Sequence, residues 1–287
     1  MIATFAKQVH RPNVEPQRAR QLRARAIVTT SWDDGHPTDL RLAALLAERR
    51  LAATFYVTPR NLERAVMTHQ ELGELAQVFE IGAHSMTHRN LCELDDQGLE
   101  KEIAGSKRLL EDVIGHHVNM FCYPKGRHNA HVRRAVGKAG FVAARTTKMF
   151  SLTVSSHPFE LATTFYARDY PWRSWPWHCV KTLNWAGFSQ AMRVGVGRQW
   201  TVMAHSLFEH VHRHGGVWHL WGHAWEIDER GLWGELGALL GRVAGHEDVL
   251  YLTNGELLGV RQVARSAAPG AGRGVRTGAG LQDGAGP

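Results

Sequence analysis

The sequence predicts an α/β protein built as a distorted (β/α) barrel of about seven strands. Short β-branched and aromatic runs alternate with helical patterns along residues 26–253, the rhythm of β-α units around a parallel sheet. The 287 residues supply enough material for one large domain, and 44% hydrophobic with 21% charged residues is ordinary for a globular protein. Polar residues able to carry chemistry follow several predicted strands, where barrels of this kind place their active sites.

The pattern predicts each element in turn. Predicted strands cover residues 26–32, 52–57, 80–85, 120–124, 141–146, 217–223 and 249–253. Predicted helices cover residues 39–50, 95–115, 131–140, 200–216 and 231–243. Residues 150–200 are less regular and rich in Trp and Pro, as in an elaborated loop region. We find no internal repeat.

Composition divides the chain into three parts. Residues 1–25 form a basic arm, residues 26–263 the barrel, and residues 264–287 a Gly/Ala-rich tail without periodicity that is predicted to be disordered. The formal net charge is +7, but the arm and the tail carry nearly all of it. The barrel is close to neutral, so the sequence does not favour a nucleic-acid partner.

The three cysteines, Cys92, Cys122 and Cys179, are an odd number without a close pair, which favours reduced thiols inside a cell. The N-terminus has no apolar segment of the secretory kind, and no run has the apolar length of a membrane span. We therefore predict a cytoplasmic protein without a membrane span, although the Arg-rich leader could also be a transit peptide.

Two adjacent carboxylates, Asp33 and Asp34, end the first predicted strand and are followed by Gly35. Adjacent like charges repel, and successive strand residues point to opposite faces. A glycine lets the chain turn at once, so both carboxylates could approach one site from different angles. One could bind a metal while its neighbour accepts a proton. In the alternative interpretation Asp34 caps the next helix and Asp33 is merely exposed.

Histidine pairs of the form HxxxH occur three times among 18 histidines, so the spacing alone proves little. His84 and His88 follow a strand directly, where a first helical turn would set the two rings side by side. Two imidazoles with one carboxylate and open positions are typical of a catalytic metal site. By contrast, His210 and His214 lie in the polar helix end "FEHVHRHGG", interpreted as a solvated C-terminal turn.

The motifs "SWDDG", "HSMTH", "YPKG" and "VWHLWGH", in this order, resemble those of the NodB-homology polysaccharide deacetylases, carbohydrate esterase family four. The resemblance spans roughly residues 26–255. It implies a distorted β/α barrel, a divalent metal and hydrolysis of an N-acetyl, sometimes O-acetyl, group on a sugar. The metal is commonly zinc, although cobalt or another divalent ion could serve.

By position, the resemblance implies a role for each motif residue. Asp33 matches the catalytic base, and Asp34, His84 and His88 match the metal ligands. Lys125 matches the residue whose backbone N–H stabilises the oxyanion.

The last motif implies a histidine that protonates the leaving amine. His223 is our choice, with His219 as the alternative because the two share one face of the predicted strand. Glu226 and Asp228 could orient that acid, although exposed loop charges are the simpler interpretation.

Two motifs depart from the family pattern. Cys122 stands where the family has an arginine that holds the base, so either another group, such as His36 or Arg127, positions Asp33 or the base is held more loosely. Cys122 itself is either a small buried filler or a fourth metal ligand. The family's Asp-Trp motif has no clear match, and Asp169 is a weak candidate.

Aromatic side chains could form a platform for the sugar. The irregular region holds Trp172, Trp175, Trp177 and Trp185, whose flat rings suit the C–H face of a sugar, although any one of them could simply pack in the core. As substrate-binding residues we predict Tyr123, Trp175 and Trp221.

These observations predict a metal-dependent hydrolase that removes acetyl groups, N-acetyl preferred, from a sugar or polysaccharide, in glycan or exopolysaccharide synthesis. The same site could instead hydrolyse a small non-sugar amide or imide. A catalytically silent carbohydrate-binding module is the third possibility. The sequence retains the base, the metal triad and the terminal histidine, which argues against a silent binding module.

Overall fold

The structure is a computed structural model that describes residues 26–169, 189, 193–194 and 199–259. The predicted arm, residues 1–25, and the predicted tail, residues 264–287, lie outside the described residues. So do Cys179, Trp172, Trp175, Trp177 and Trp185. Among the helices that the structure describes, none is both long and apolar enough to cross a membrane.

A parallel sheet forms the centre of the molecule. Its strands are β1 (Ala26–Asp34), β2 (Ala53–Val57), β3 (Glu80–Ala83), β4 (Met120–Cys122), β5 (Ala143–Arg145), β6 (Phe165–Tyr166), β7 (Gly216–Gly222) and β8 (Val249–Tyr251). The order is β5-β4-β3-β2-β1-β7-β6, and β8 pairs with the start of β1. All pairings are parallel.

One extended segment links the two edges of this sheet. Leu161 bridges to Arg145 at the end of β5, and a few residues later β6 pairs with β7. The amide of Thr164 donates to His219 O at 2.9 Å in between. The sheet therefore curls into a distorted barrel, and this confirms the predicted fold class.

Helices cover the outside of the sheet. They are α1 (Asp39–Glu48), α2 (His69–Ala76), α3 (Asp96–Leu99), α4 (Gly105–Ile114), α5 (Ala130–Lys138), α6 (Trp200–His214), α7 (Ala224–Glu229) and α8 (Trp233–Val243). A π-helical turn, Glu100–Ala104, joins α3 to α4, so the predicted helix over 95–115 is continuous but not uniform. Single 3₁₀ turns lie at Leu91–Glu93, Pro124–Gly126 and Pro158–Glu160.

Alternating side chains of β1 divide between two environments. Val28 and Trp32 join the large apolar core between sheet and helices, together with Leu42 and Leu46 of α1. The intervening residues are also buried but carry polar groups, such as Thr29, whose hydroxyl donates to Asn254 Oδ1 at 2.9 Å. The inner face of β1 therefore carries buried polar groups toward its end, and Asp33 lies on this same face by the period of two.

All seven predicted strands are present, with ends that differ by at most two residues. Strand β6 and helices α2 and α7 were not expected. Helix α2 nevertheless carries a capping box, because Thr68 and Glu71 bond each other's backbone N–H groups. Strand β6 has only two residues, too few for a recognisable pattern.

Candidate active site

Asp33 and Asp34 end β1 at the carboxyl edge of the sheet, and both are almost fully buried, with 2% and 3% of their surface exposed. Asp34 has a φ of 86°, in the left-handed region, and Gly35 follows with a φ of 72°. A Cβ on Gly35 would lie 2.7 Å from Val57 Cγ1, so only glycine fits this turn. The turn separates the two carboxylates, as the sequence predicts.

Asp34 meets the two histidines at one point. Its Oδ1 has no hydrogen-bond partner among the described residues. This atom lies 3.6 Å from His88 Nε2 and 3.9 Å from His84 Nε2. Its other oxygen, Oδ2, accepts a hydrogen bond from Trp225 Nε1 at 2.7 Å. One carboxylate oxygen is therefore anchored, and the other is free to bind a cation.

The two imidazoles are oriented by groups behind them. His84 Nδ1 donates to Cys122 O at 2.8 Å, and His88 Nδ1 donates to Glu63 Oε2 at 3.0 Å. These bonds leave both Nε2 lone pairs directed at Asp34. Burial lowers the pKa of His84 to about 4, so its ring is neutral at neutral pH.

The backbone that presents these rings is not the expected helical turn. Residues 84–90 contain no helix, and Ser85 and His88 have left-handed φ values of 62° and 65°. The ring centroids of His84 and His88 nevertheless lie 5.0 Å apart. Two strained non-glycine residues bring the rings together, a cost that is common at functional sites.

This donor set fits a divalent metal. One ligand atom each from Asp34, His84 and His88 lies within 4.8 Å of the other two. Ligands bound to zinc at about 2.0–2.2 Å are separated by roughly 3.3–3.6 Å, close to the O···N distances here. A buried carboxylate oxygen without a hydrogen-bond partner is costly unless a cation neutralises it.

Asp33 is held by Arg145, a residue that the sequence analysis missed. The buried guanidinium of Arg145, at the end of β5, bonds both carboxylate oxygens of Asp33. Neither His36 nor Arg127 takes this place, since His36 Nδ1 bonds Thr38 Oγ1 at 2.9 Å. Burial raises the pKa of Asp33, but the charges of Arg145, His84 and His223 together with the Arg145 hydrogen bonds outweigh it and hold the pKa below the usual value.

Cys122 lies beside this pair. Its thiol is fully buried, 3.8 Å from Asp33 Oδ2, and burial raises its pKa well above the ordinary value. A protonated thiol is a small filler here, one of the two interpretations that the sequence left open. Arg145 at the end of β5, the strand next to β4, therefore supplies the positive charge that the family has at the position of Cys122.

His223 follows β7 and faces Asp34 from the opposite side, with His223 Nε2 4.0 Å from Asp34 Oδ2. Tyr166 OH lies 2.8 Å from His223 Nδ1 and donates its proton to Glu226 Oε2. A hydroxyl has one proton, so His223 Nδ1–H must donate to the tyrosine oxygen.

Glu226 completes this arrangement. It is 4% exposed and also pairs with Arg168 at 3.0 Å, so the simpler interpretation as an exposed loop charge is wrong. Burial lowers the pKa of His223, but the Glu226 carboxylate, as hydrogen-bond acceptor and as charge, and the charges of Asp34 and Asp33 outweigh it and raise the pKa.

His219 lies deeper inside the barrel. It is 2% exposed, its Nε2 is 2.8 Å from Ser31 Oγ, and burial together with the Arg145 charge lowers its pKa to about 3. Such a group stays neutral and cannot supply a proton at neutral pH. Two other residues considered for this region are on the surface: Asp228 pairs with Arg41, and Asp169 pairs with Arg230.

Lys125 lies at the rim of the site. It has a left-handed φ of 55°, in a turn after β4, and its Nζ pairs with Glu63 Oε1 at 2.6 Å. Glu63 therefore connects Lys125 to His88. The hydrogen bond from Lys125 lowers the pKa of Glu63 by more than burial raises it, so this pKa lies below its usual value.

The aromatic residues predicted to bind substrate lie in different surroundings. Tyr123 is fully buried and its hydroxyl donates to Phe159 O at 3.1 Å, so it has no surface to offer a substrate. Trp221 is 6% exposed, stacks on Tyr166 at 4.2 Å, and its Nε1 has no partner among the described residues. Trp175 lies outside the described residues.

The structure thus places carboxylates and imidazoles together at the carboxyl edge of a parallel (β/α) barrel, where barrels of this kind hold their active sites. Residues 21–144 match the family model described as polysaccharide deacetylase, and this confirms the resemblance stated above. The matched range includes Asp33, Asp34 and both predicted histidine ligands. It ends one residue before Arg145, and it does not reach His223.

Two curated relatives match a similar share of the chain. "Putative polysaccharide deacetylase YxkH" of Bacillus subtilis is 27% identical over 124 residues, 42% of this chain and 44% of that protein. An uncharacterized protein of Streptomyces coelicolor is 29% identical over 121 residues, 41% of this chain and 46% of that protein. The chain thus matches less than half the length of either relative.

One solved structure supports the fold over nearly the whole chain. The crystal structure named "putative polysaccharide deacetylase from Mycobacterium smegmatis" has a TM-score of 0.61, covers 91% of this chain and 95% of its own, and is 18% identical.

Proposed function

We propose that this protein is a metal-dependent hydrolase that removes acetyl groups, N-acetyl preferred, from a sugar or polysaccharide. The observation that carries the proposal is the division of labour between two adjacent aspartates. Asp34 presents an unpartnered oxygen to the imidazoles of His84 and His88, while both oxygens of Asp33 are bonded by Arg145. One carboxylate is thereby suited to a metal and the other to a proton.

Asp34, His84 and His88 would hold the ion, with zinc as the proposed metal and cobalt as an alternative. Bound there, a divalent ion lowers the pKa of water and polarises the acetyl carbonyl. Trp225 and Glu63 fix Asp34 and His88 from behind, so the three ligand atoms keep their positions.

Asp33 acts as the general base in this proposal. The Arg145 charge keeps its carboxylate ionised, so it can accept a proton from the attacking water at neutral pH. The backbone N–H of Lys125 is the proposed donor to the oxyanion that forms on the acetyl group. Trp221, with an unpaired N–H at the inner wall, stays the proposed aromatic contact to the substrate.

His223 acts as the general acid. Its Nδ1–H is tied through Tyr166 to Glu226, which leaves His223 Nε2 directed toward the site to protonate the leaving amine. The raised pKa increases the fraction of the ring that carries this proton near neutral pH. The free thiols of Cys92 and Cys122 support the cytoplasm as the proposed compartment.

Acetate release tests the proposal. Tag-free protein with added zinc or cobalt should release acetate from N-acetylated saccharides, less from O-acetylated ones, and none with chelator. Asp33→Asn should lower release by about 10²–10⁴-fold while metal stays bound. Release from small amides or imides alone would favour the second hypothesis. A metal-loaded protein active on no substrate would favour the silent binding module.

A further inference from the structure

A second group of metal-ligating side chains lies far from the active site. His212 is near the end of α6, and His246 and Asp248 lie in the loop between α8 and β8. One ligand atom from each of the three lies within 4.8 Å of the others. The sequence interpretation of a merely solvated helix end does not account for this convergence.

The contacts in this group already resemble a ligand set. His212 Nε2 lies 2.9 Å and 3.0 Å from the two oxygens of Asp248. The rings of His212 and His246 are 4.6 Å apart, and both pack against Phe208 at 5.5 Å and 5.2 Å. The phenyl ring therefore holds the two imidazoles side by side without competing for their nitrogens.

His246 is in a tautomer that can bind a metal. Its Nε2 lies 3.0 Å from the carbonyl oxygen of Arg242, and a carbonyl only accepts, so Nε2 carries the proton. Nδ1 then carries the lone pair, and the carbonyl behind the ring fixes its orientation. The side chain of Asp248 is 70% exposed, so water can fill further coordination positions.

The position of the group separates it from the catalytic edge. Strands β7 and β8 run parallel to β1, and this group adjoins their first residues. The catalytic edge is at the other end, where Asp33 and Asp34 end β1 and His223 follows β7. The seven residues of β7 span roughly 20 Å. A metal here would be independent of the active site.

We propose that His212, His246 and Asp248 form a second, structural site for a divalent transition metal, with zinc as the best fit. Two imidazoles and one carboxylate are zinc ligands, and nitrogen donors disfavour Mg²⁺ and Ca²⁺. The C-terminal end of α6 carries partial negative charge, which favours a cation. The ion would replace the proton shared by His212 and Asp248, and it would tie α6 to the loop before β8.

Metal counting tests this proposal on full-length, tag-free protein loaded with zinc and dialysed. The wild-type chain should hold two ions, and His246→Ala and Asp248→Asn should each hold one and keep full acetate release. His88→Ala should also keep one ion, and zinc at about 100 times its dissociation constant should still raise its Tm by about 5 °C or more. The matched control His214→Ala, an exposed histidine two residues from His212, should hold two.

The outcomes separate this proposal from the proposed function. One ion in the wild-type chain and none in His88→Ala would overturn the second site and leave the active-site assignment standing. One ion in the wild-type chain and none in Asp248→Asn would support the second site and overturn the catalytic metal. Loss of an ion in His214→Ala would show that zinc binds the pair His210 and His214, which also overturns the proposal.

Discussion

Replacing Arg145 by methionine removes the guanidinium that holds Asp33 and leaves a carboxylate buried without its counter-charge. The Arg145 side chain is 0% exposed and that of Asp33 is 3% exposed, so water cannot take over the lost contacts. Among the described residues, the other hydrogen-bond donor to Asp33 is Cys122 Sγ at 3.8 Å, a weak one. Methionine retains much of the volume against Trp221 and Tyr56, whose rings lie 4.6 Å and 5.3 Å from the guanidinium.

The expected loss of stability is large. Removing one partner of a buried ion pair costs about 3–5 kcal/mol, because the other charge stays buried. For a domain of this size each kcal/mol lowers the Tm by about 2–4 °C, so a fall of about 6–20 °C is expected. Without the arginine, burial raises the pKa of Asp33, so the acidic limb of activity against pH should move to higher pH.

Thermal unfolding with a double-mutant cycle measures this effect. Arg145→Met, Asp33→Asn and the combined variant should show a coupling energy of about 2–3 kcal/mol, with the double variant more stable than the sum of the singles predicts. Arg133→Met is the matched control, because Arg133 pairs with Glu160 at the surface and should cost no more than about 1 kcal/mol. If Arg145→Met were no more destabilising than Arg133→Met, the buried pair would not have the role assigned to it.

Three further predictions follow from single contacts. Trp225→Phe removes the hydrogen bond to Asp34 Oδ2 and should weaken zinc binding about 10–100-fold in calorimetric titrations; unchanged affinity would mean that Asp34 needs no anchor. Glu226→Gln removes an interaction that raises the pKa of His223, so the acid loses its proton earlier and the basic limb of kcat/KM should move to lower pH; an upward move would contradict His223 as the acid. Gly35→Ala places a Cβ 2.7 Å from Val57 Cγ1 at a φ of 72° and should destabilise the fold by about 1–3 kcal/mol in urea unfolding; a neutral effect would contradict the turn geometry.

Local sequence patterns were sufficient to predict the main strands of the barrel, because buried parallel strands consist of short runs of β-branched and aromatic residues. Strand β6 escaped prediction because its two residues are ordered by pairing with β7, a contact between Phe165 and Leu220 that no local pattern contains. Helix α7 is only six residues long, too short for an apolar period, and is fixed by burial of Ala224 and Ile227.

The candidate site divides in the same way. Asp33, Asp34, His84 and His88 could be predicted because short motifs follow strand ends, and parallel strands bring those ends together. Arg145 could not be predicted, because 112 residues of sequence separate it from Asp33. In the sheet order, strands β4, β3 and β2 also lie between β5, which carries Arg145, and β1, which carries Asp33. The one available signal was a charged residue directly after the buried run "FVAA", where an unpaired arginine would be costly.

The most direct test of the central claim is an anomalous difference map from crystals of the protein grown with zinc. We predict a strong peak about 2.0–2.2 Å from Asp34 Oδ1, His84 Nε2 and His88 Nε2, with Asp33 still paired to Arg145 and outside the coordination shell. A map without a peak among these three atoms, or one in which Asp33 is a ligand, would contradict the separation of metal ligand and base.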